Sequence, residues 1–170
     1  MSYMTSERND TSEECAAFND LLVESGLISS AQLARASIGR ELTGAPIDSV
    51  LILHRVVDPD VLRSVLAHAW NRPAINLART HVDHDLVDQW PDEVYLSQHW
   101  FPVRDQANGT VLVATSRIPD ASRAERIEAV IGAPVEFVVV VSVDIAAAVA
   151  RATKRRTRGR RLFIDCPSSS

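Results

Sequence analysis

Residues 18–33, FNDLLVESGLISSAQL, and residues 47–62, IDSVLILHRVVDPDVL, decide how this chain folds. Set one above the other at an offset of 29 residues, Phe18 meets Ile47, Leu22 meets Leu51, Ile28 meets Val57 and Leu33 meets Leu62. Inside each copy the apolar residues fall at helical spacing: Phe18, Leu21 and Leu22 in the first, Ile47, Val50 and Leu51 in the second. A repeat of this length is a duplicated helix–turn–helix unit, and each copy is too small to bury its apolar face alone, so the two should pack together. The punctuation agrees. Gly26 is placed to end the first helix, and Ser29 with Gln32 three residues later forms a capping box for the second. Asp58 followed by Pro59 opens the fourth. Four helices are expected, over about 14–25, from Ser29, over about 46–54 and from Asp58.

Outward from the repeat, residues 1–13 are polar and read as a disordered leader. The pattern changes near Arg72-Pro73. An extended segment, Ala74 to Leu77, precedes a helical stretch over about 84–97 that Pro91 interrupts. Three strands are then expected. Trp100 to Arg104 carries Pro102, which argues for a sheet edge. Asn108-Gly109 is a hairpin turn signal leading into Thr110 to Thr115. Asp120 caps a helix that Gly132 stops, and Val135 to Val141 is a near-continuous apolar run, expected to be buried on both faces. A last helix should run over about 143–154. The fold class is therefore α+β: a four-helix lobe over 14–72, then an α/β lobe over 73–153 with a small mixed three-stranded sheet, and a basic tail over 154–170.

The charge is uneven. Residues 154–170 hold six basic residues against one acidic, whereas the rest of the chain holds 12 against 21. An acidic body argues against nucleic acid as a partner. The chain has no apolar run of the roughly 20 residues a membrane span needs and no signal-peptide pattern at its start, so a cytoplasmic location is expected. Cys15 and Cys166 are then reduced thiols.

A search for chemistry finds no active site. Gly39 and Gly44 have phosphate-loop spacing, but Ala45-Pro46 replaces the required Lys and Ser/Thr. His81, Asp83 and His84 could begin a metal site, yet no second cluster completes it, and they read as a loop entering a helix. The pairs Asp83/Asp85 and Asp92/Glu93 sit where first helical turns collect acids. No metal, cofactor or catalytic residue is expected. The sharpest local feature is the run Lys154, Arg155, Arg156, Arg158, Arg160 and Arg161, which suits an anionic membrane surface better than single-stranded nucleic acid, because no aromatic stacking platform accompanies it.

Taken together, Leu21 to Leu33, Arg72 to Leu77, Phe101-Pro102-Val103, Val111 to Thr115, Gly132 to Val135 and Val143-Asp144-Ile145 resemble the N-terminal domain of the type II secretion and type IV pilus assembly ATPases, of GspE or MshE type. The resemblance spans residues 16–153. It implies a non-catalytic module that docks a motor onto a protein partner at the cytoplasmic face of the inner membrane, and a similar module occurs fused to family 2 glycosyltransferases. Some members bind cyclic di-GMP through two 24-residue motifs joined by a five-residue spacer, which here correspond to 17–40, 41–45 and 46–69. Each motif reads Arg-Leu-Gly, then Leu, Gly, two Leu and Gln. Of these positions the chain keeps Leu22, Gly26, Leu33, Leu51, Leu62 and Leu66. It has Ala17-Phe18-Asn19 and Pro46-Ile47-Asp48 in place of Arg-Leu-Gly, Ser37 for a Leu, Arg55 for a Gly, and Arg40 and Ala69 for Gln. Side chains at Asn19 and Asp48 would hinder close backbone approach, and both phosphate-pairing arginines are gone. The resemblance therefore implies a docking module whose cyclic di-GMP site is degenerate, with Arg40 and Arg55 as its remaining cations. The alternatives are a dinucleotide sensor and the regulatory part of a membrane glycosyltransferase.

Overall fold

A computed structural model describes the backbone of residues 4–164 and the side chains of 12–160. The chain divides into two compact units between Ala69 and Trp70.

The first unit contains α1 (Met4–Glu24), α2 (Ser30–Thr43), α3 (Ile47–Leu53) and α4 (Pro59–Trp70). Its core is the repeat. Phe18, Leu22 and Ile28 are buried, and so are their counterparts Ile47, Leu51 and Val57. The hydrogen bonds repeat with the side chains. Ile28 N–H donates to the Leu22 carbonyl and Val57 N–H to the Leu51 carbonyl, both at 3.4 Å, while Gly26 N–H reaches Val23 and Arg55 N–H reaches Ile52, both at 3.0 Å. The capping box at Ser29 and Gln32 is complete in both directions, and the Asp58 carboxylate accepts from the Asp60 and Val61 amides. One expectation fails here. Residues 4–13 are not a disordered leader but continue α1. That helix holds no Gly or Pro from Met4 to Glu24. Extending an already nucleated helix costs little per residue, even when the added turns are polar.

The second unit is built on a sheet of order β1-β2-β3, with β1 (Trp100–Asp105), β2 (Val111–Thr115) and β3 (Val135–Val139). β1 pairs antiparallel with β2, and its register slips between Pro102 and Arg104. Pro102 thus lies on an edge strand beside a bulge, where its missing N–H is harmless. Gly109 at φ 82 makes the hairpin turn. β2 pairs in parallel with β3, and α7 (Ala121–Ile131), capped by Asp120 and ended at Gly132, connects them. The apolar run from Val135 is not buried throughout. β3 is the other edge strand, Glu136 is exposed, and burial begins at Phe137. The extended segment near Ala74 meets β3 through a single parallel bridge to Val139. Short helices α5 (His84–Val87) and α6 (Asp92–Gln98) flank Pro91 as the sequence predicts.

Aromatic packing anchors the core of this unit. Tyr95 lies edge-on to Trp100 and to Phe101, with ring centroids 5.2 Å apart in both pairs. The buried Tyr95 hydroxyl donates to the Val87 carbonyl at 2.6 Å, and burial pushes its phenol well above the ordinary value. The last helix, α8 (Ser142–Ile164), runs through the residues expected to form a basic tail. Its buried stripe, Ile145, Ala148, Val149 and Ala152, keeps i, i+3, i+4, i+7 spacing.

Candidate functional site

The residues singled out by the sequence fall in three places. In the first unit, Leu22, Leu51, Leu62 and Leu66 are all fully buried. They are core residues and present no atoms to a ligand, because the bundle needs them to hold its helices together. Leu33 is half-buried. Gly26 sits in the turn at φ 76, and Arg55 repeats that left-handed turn at φ 56 with a side chain attached. Arg40 is half-buried, with Nη2 3.6 Å from the Cys15 sulfur. Asp48 is buried in the first turn of α3. Cys166 lies outside the described residues.

The unit holds two grooves that the sequence did not reveal. One, of about 290 Å³, is lined by Gln32, Arg35 and Gly39 of α2 and by Val50 and His54 at the end of α3. The other, of about 560 Å³, is lined by Leu21 and Ser25 at the end of α1 and by Val61, Ser64 and His68 of α4. The repeat offset relates the two linings half by half, the α1 side of one groove to the α3 side of the other and the α2 side to the α4 side: Leu21 to Val50, Ser25 to His54, Gln32 to Val61, Arg35 to Ser64, Gly39 to His68. The duplication has therefore produced twin grooves with different chemistry. Gly39 is tight for a reason, since a Cβ there would lie 3.0 Å from Val50 Cγ1. The unit also leaves large apolar side chains in the open. Ile38 is 59% exposed and Leu42 81%, one turn apart on α2, and Leu53 of α3 is 73% exposed.

The basic run is a helical surface, and two of its members are already engaged. Arg155 donates to Asp88 at 2.6 Å. Arg156 pairs with Asp92 and lies 3.7 Å from Asp88. Thr153 also donates to Asp92, at 2.6 Å. Burial pulls the Asp92 carboxyl upward, but the hydrogen bonds from Arg156 and Thr153 and the Arg156 charge outweigh it and hold the group below its ordinary value. The Arg156 guanidinium moves the opposite way, raised first by its bond to Asp92. Asp92 is thus more than a solvated helix start. It and Asp88 extend α8 beyond its apolar stripe, which is why no tail begins at Lys154. Lys154, Arg158 and Arg160 are exposed, and the Arg161 side chain lies outside the described residues. The signal for these pairings was present in the acids at 88 and 92, but nothing in the linear sequence said they face residues more than 60 positions away.

Asp83 is spent as the cap of α5, accepting from the Asp85 and Leu86 amides. Among the described residues no group of three or more His, Cys, Asp or Glu could hold a metal ion. Among those residues, too, no helix is long and apolar enough to cross a membrane.

Comparison with known proteins follows this anatomy. The MshEN domain family matches residues 70–159. The type IV pilus assembly ATPase PilB of Myxococcus xanthus (strain DK1622) is 28% identical over 132 residues, covering 78% of this chain and 23% of PilB, so the chain spans under a quarter of that relative. The solved structure of MshE with cdg superposes at a TM-score of 0.53 with 27% identity, covering 79% of this chain and 96% of that one. The N-terminal domain of XpsE superposes at 0.51 with 15% identity, covering 82% and 94%, a likeness of fold.

Proposed function

The chain belongs to the MshEN domain family, and from that premise we propose that it is a non-catalytic docking and regulatory module. It attaches a motor ATPase or a membrane-bound enzyme to a protein partner at the cytoplasmic face of the membrane. The observation that carries this reading is the open apolar side chains Ile38, Leu42 and Leu53 on a unit whose core is otherwise complete. Exposed apolar groups that the fold does not need mark a contact with another protein. The experiment is a pull-down from a detergent-solubilised membrane fraction, comparing the native chain with an Ile38→Ser/Leu42→Ser variant. A specific protein should be recovered by the first and lost by the second. Equal recovery by both, with both folded, would remove the proposed surface.

A second reading has its own support. MshE is seen with cdg, and the groove beside α2 offers Arg35, Gln32 and His54. In this reading the unit senses cyclic di-GMP with a motif that has lost both of its arginines and the glycine at position 55. Calorimetry with excess cyclic di-GMP separates the two. Saturable heat that disappears in Arg35→Ala favours the sensor, and no heat leaves docking alone. The exposed cations of α8 add a contact with anionic lipid in either case.

A further inference from the structure

A third cavity lies in the second unit, between the segment entering α5 and one face of α8, with a volume of about 230 Å³. Its floor is apolar, formed by Leu77, Val87, Phe101 and Ala148, all buried. Its rim carries four basic side chains, His81 and His84 on one side and Arg151 and Arg155, one helical turn apart, on the other. No Asp or Glu lines it. The neighbouring acids are committed or turned to solvent: Asp83 caps α5, Asp88 accepts from Arg155, and Asp85 is exposed. Arg155 is held in place at the cavity by its bond to Asp88.

We propose that this cavity binds a small phosphate ester. The phosphate sits among the imidazoles and guanidiniums, and the carbon portion rests on the apolar floor. The donor set does not suit a metal cation, because two guanidiniums line the cavity with the histidines and no carboxylate joins them. Donors converging from two sides suit a phosphate, with its several acceptor oxygens, better than a carboxylate that a single arginine satisfies. The volume falls below the roughly 300–1,000 Å³ of sites for drug-sized ligands. It admits a group the size of a lipid headgroup and rejects a dinucleotide.

The test is a nuclear magnetic resonance titration of the full chain with inorganic phosphate, with sn-glycerol 3-phosphate and with acetate. Both phosphates should give saturable shifts centred on His81, His84 and Arg151, and the glycerol ester should bind about fourfold more tightly, as one buried methylene predicts. Arg151→Gln, an exposed position whose thermal melt should not change, should weaken binding about tenfold or more, a loss of about 1.4 kcal/mol in Kd terms. Arg160→Gln, outside the cavity, should not. Vesicles of phosphatidylglycerol in phosphatidylcholine identify the source. Weaker co-sedimentation of Arg151→Gln than of Arg160→Gln assigns the phosphate to a headgroup. Equal co-sedimentation, with glycerol phosphate still bound, assigns it to a free ester. Absence of saturable shifts at His81 and His84, equal shifts with acetate, or shifts centred on Lys154 and Arg158 would each overturn the proposal.

Discussion

Arg55 holds a backbone conformation, φ 56, that its counterpart Gly26 holds at φ 76. The turn around each makes the same hydrogen bonds, so the geometry is demanded by the duplicated fold and not by the local residue. An L-residue in this region loses about 1 kcal/mol relative to glycine. Arg55→Gly should therefore stabilise the first unit by up to about 1 kcal/mol, reduced by glycine's greater freedom when unfolded, and urea denaturation would read it as a higher midpoint at unchanged slope. Tyr95 gives the opposite case. Its hydroxyl is buried against the Val87 carbonyl, and Tyr95→Phe should cost about 1–2 kcal/mol by leaving that acceptor unpaired, measurable as a lower melting temperature. Residues of both kinds differ in how far the sequence exposes them. The caps at Ser29, Asp58 and Asp120 are legible because their partners lie two or three residues away. Arg55 is not, because a strained turn is tolerated only when tertiary packing enforces it. The leucines at 22, 51, 62 and 66 were legible as a pattern, yet the pattern alone could not tell a core position from a ligand contact.

Among the elements, α8 departs furthest from expectation. Its apolar stripe ends at Ala152, and from there Thr153, Arg155 and Arg156 hold it to α6 and the end of α5 through Asp92 and Asp88. Asp92→Asn should cost about 1 kcal/mol, a partly buried ion pair being worth little more, and should release the end of the helix, seen as faster amide exchange beyond Arg156. The pH dependence has a definite sign. The folded Asp92 carboxyl titrates below its unfolded value of 3.8. Its contribution is therefore complete above that value and is lost as pH falls through the folded one. Native protein should lose stability as pH falls below 3.8 by more than Asp92→Asn does, and equal losses would show that the pair is not coupled to folding. Strands, hairpin and α7 were legible from turn and cap residues and from apolar runs. The end of α8 was not, since a basic run looks the same in sequence whether its partners are solvent or acids distant in the chain.

For the molecule as a whole, charge is the property with the longest reach. The chain carries a net −4, yet Lys154 and Arg158 stand exposed with Arg151 on one face of α8, and Arg160 stands exposed two residues beyond Arg158. Near an anionic bilayer each is worth about 1 kcal/mol and is screened by salt. Co-sedimentation with phosphatidylglycerol vesicles should fall between about 50 and 300 mM NaCl. It should fall further in Lys154→Glu/Arg158→Glu/Arg160→Glu, and binding that ignores both would remove the lipid contact. The α+β class and the small mixed sheet follow from sequence because each element carries its own signals. The grooves, the cavity and the long ion pairs do not, because they exist only once distant residues meet. The 29-residue offset also gives the molecule a built-in reference. The same substitution made at Leu22 and at Leu51, or at Ile28 and at Val57, probes one local geometry in two surroundings. Any difference between the paired results measures what those surroundings contribute, with the second copy standing as the experiment's own standard.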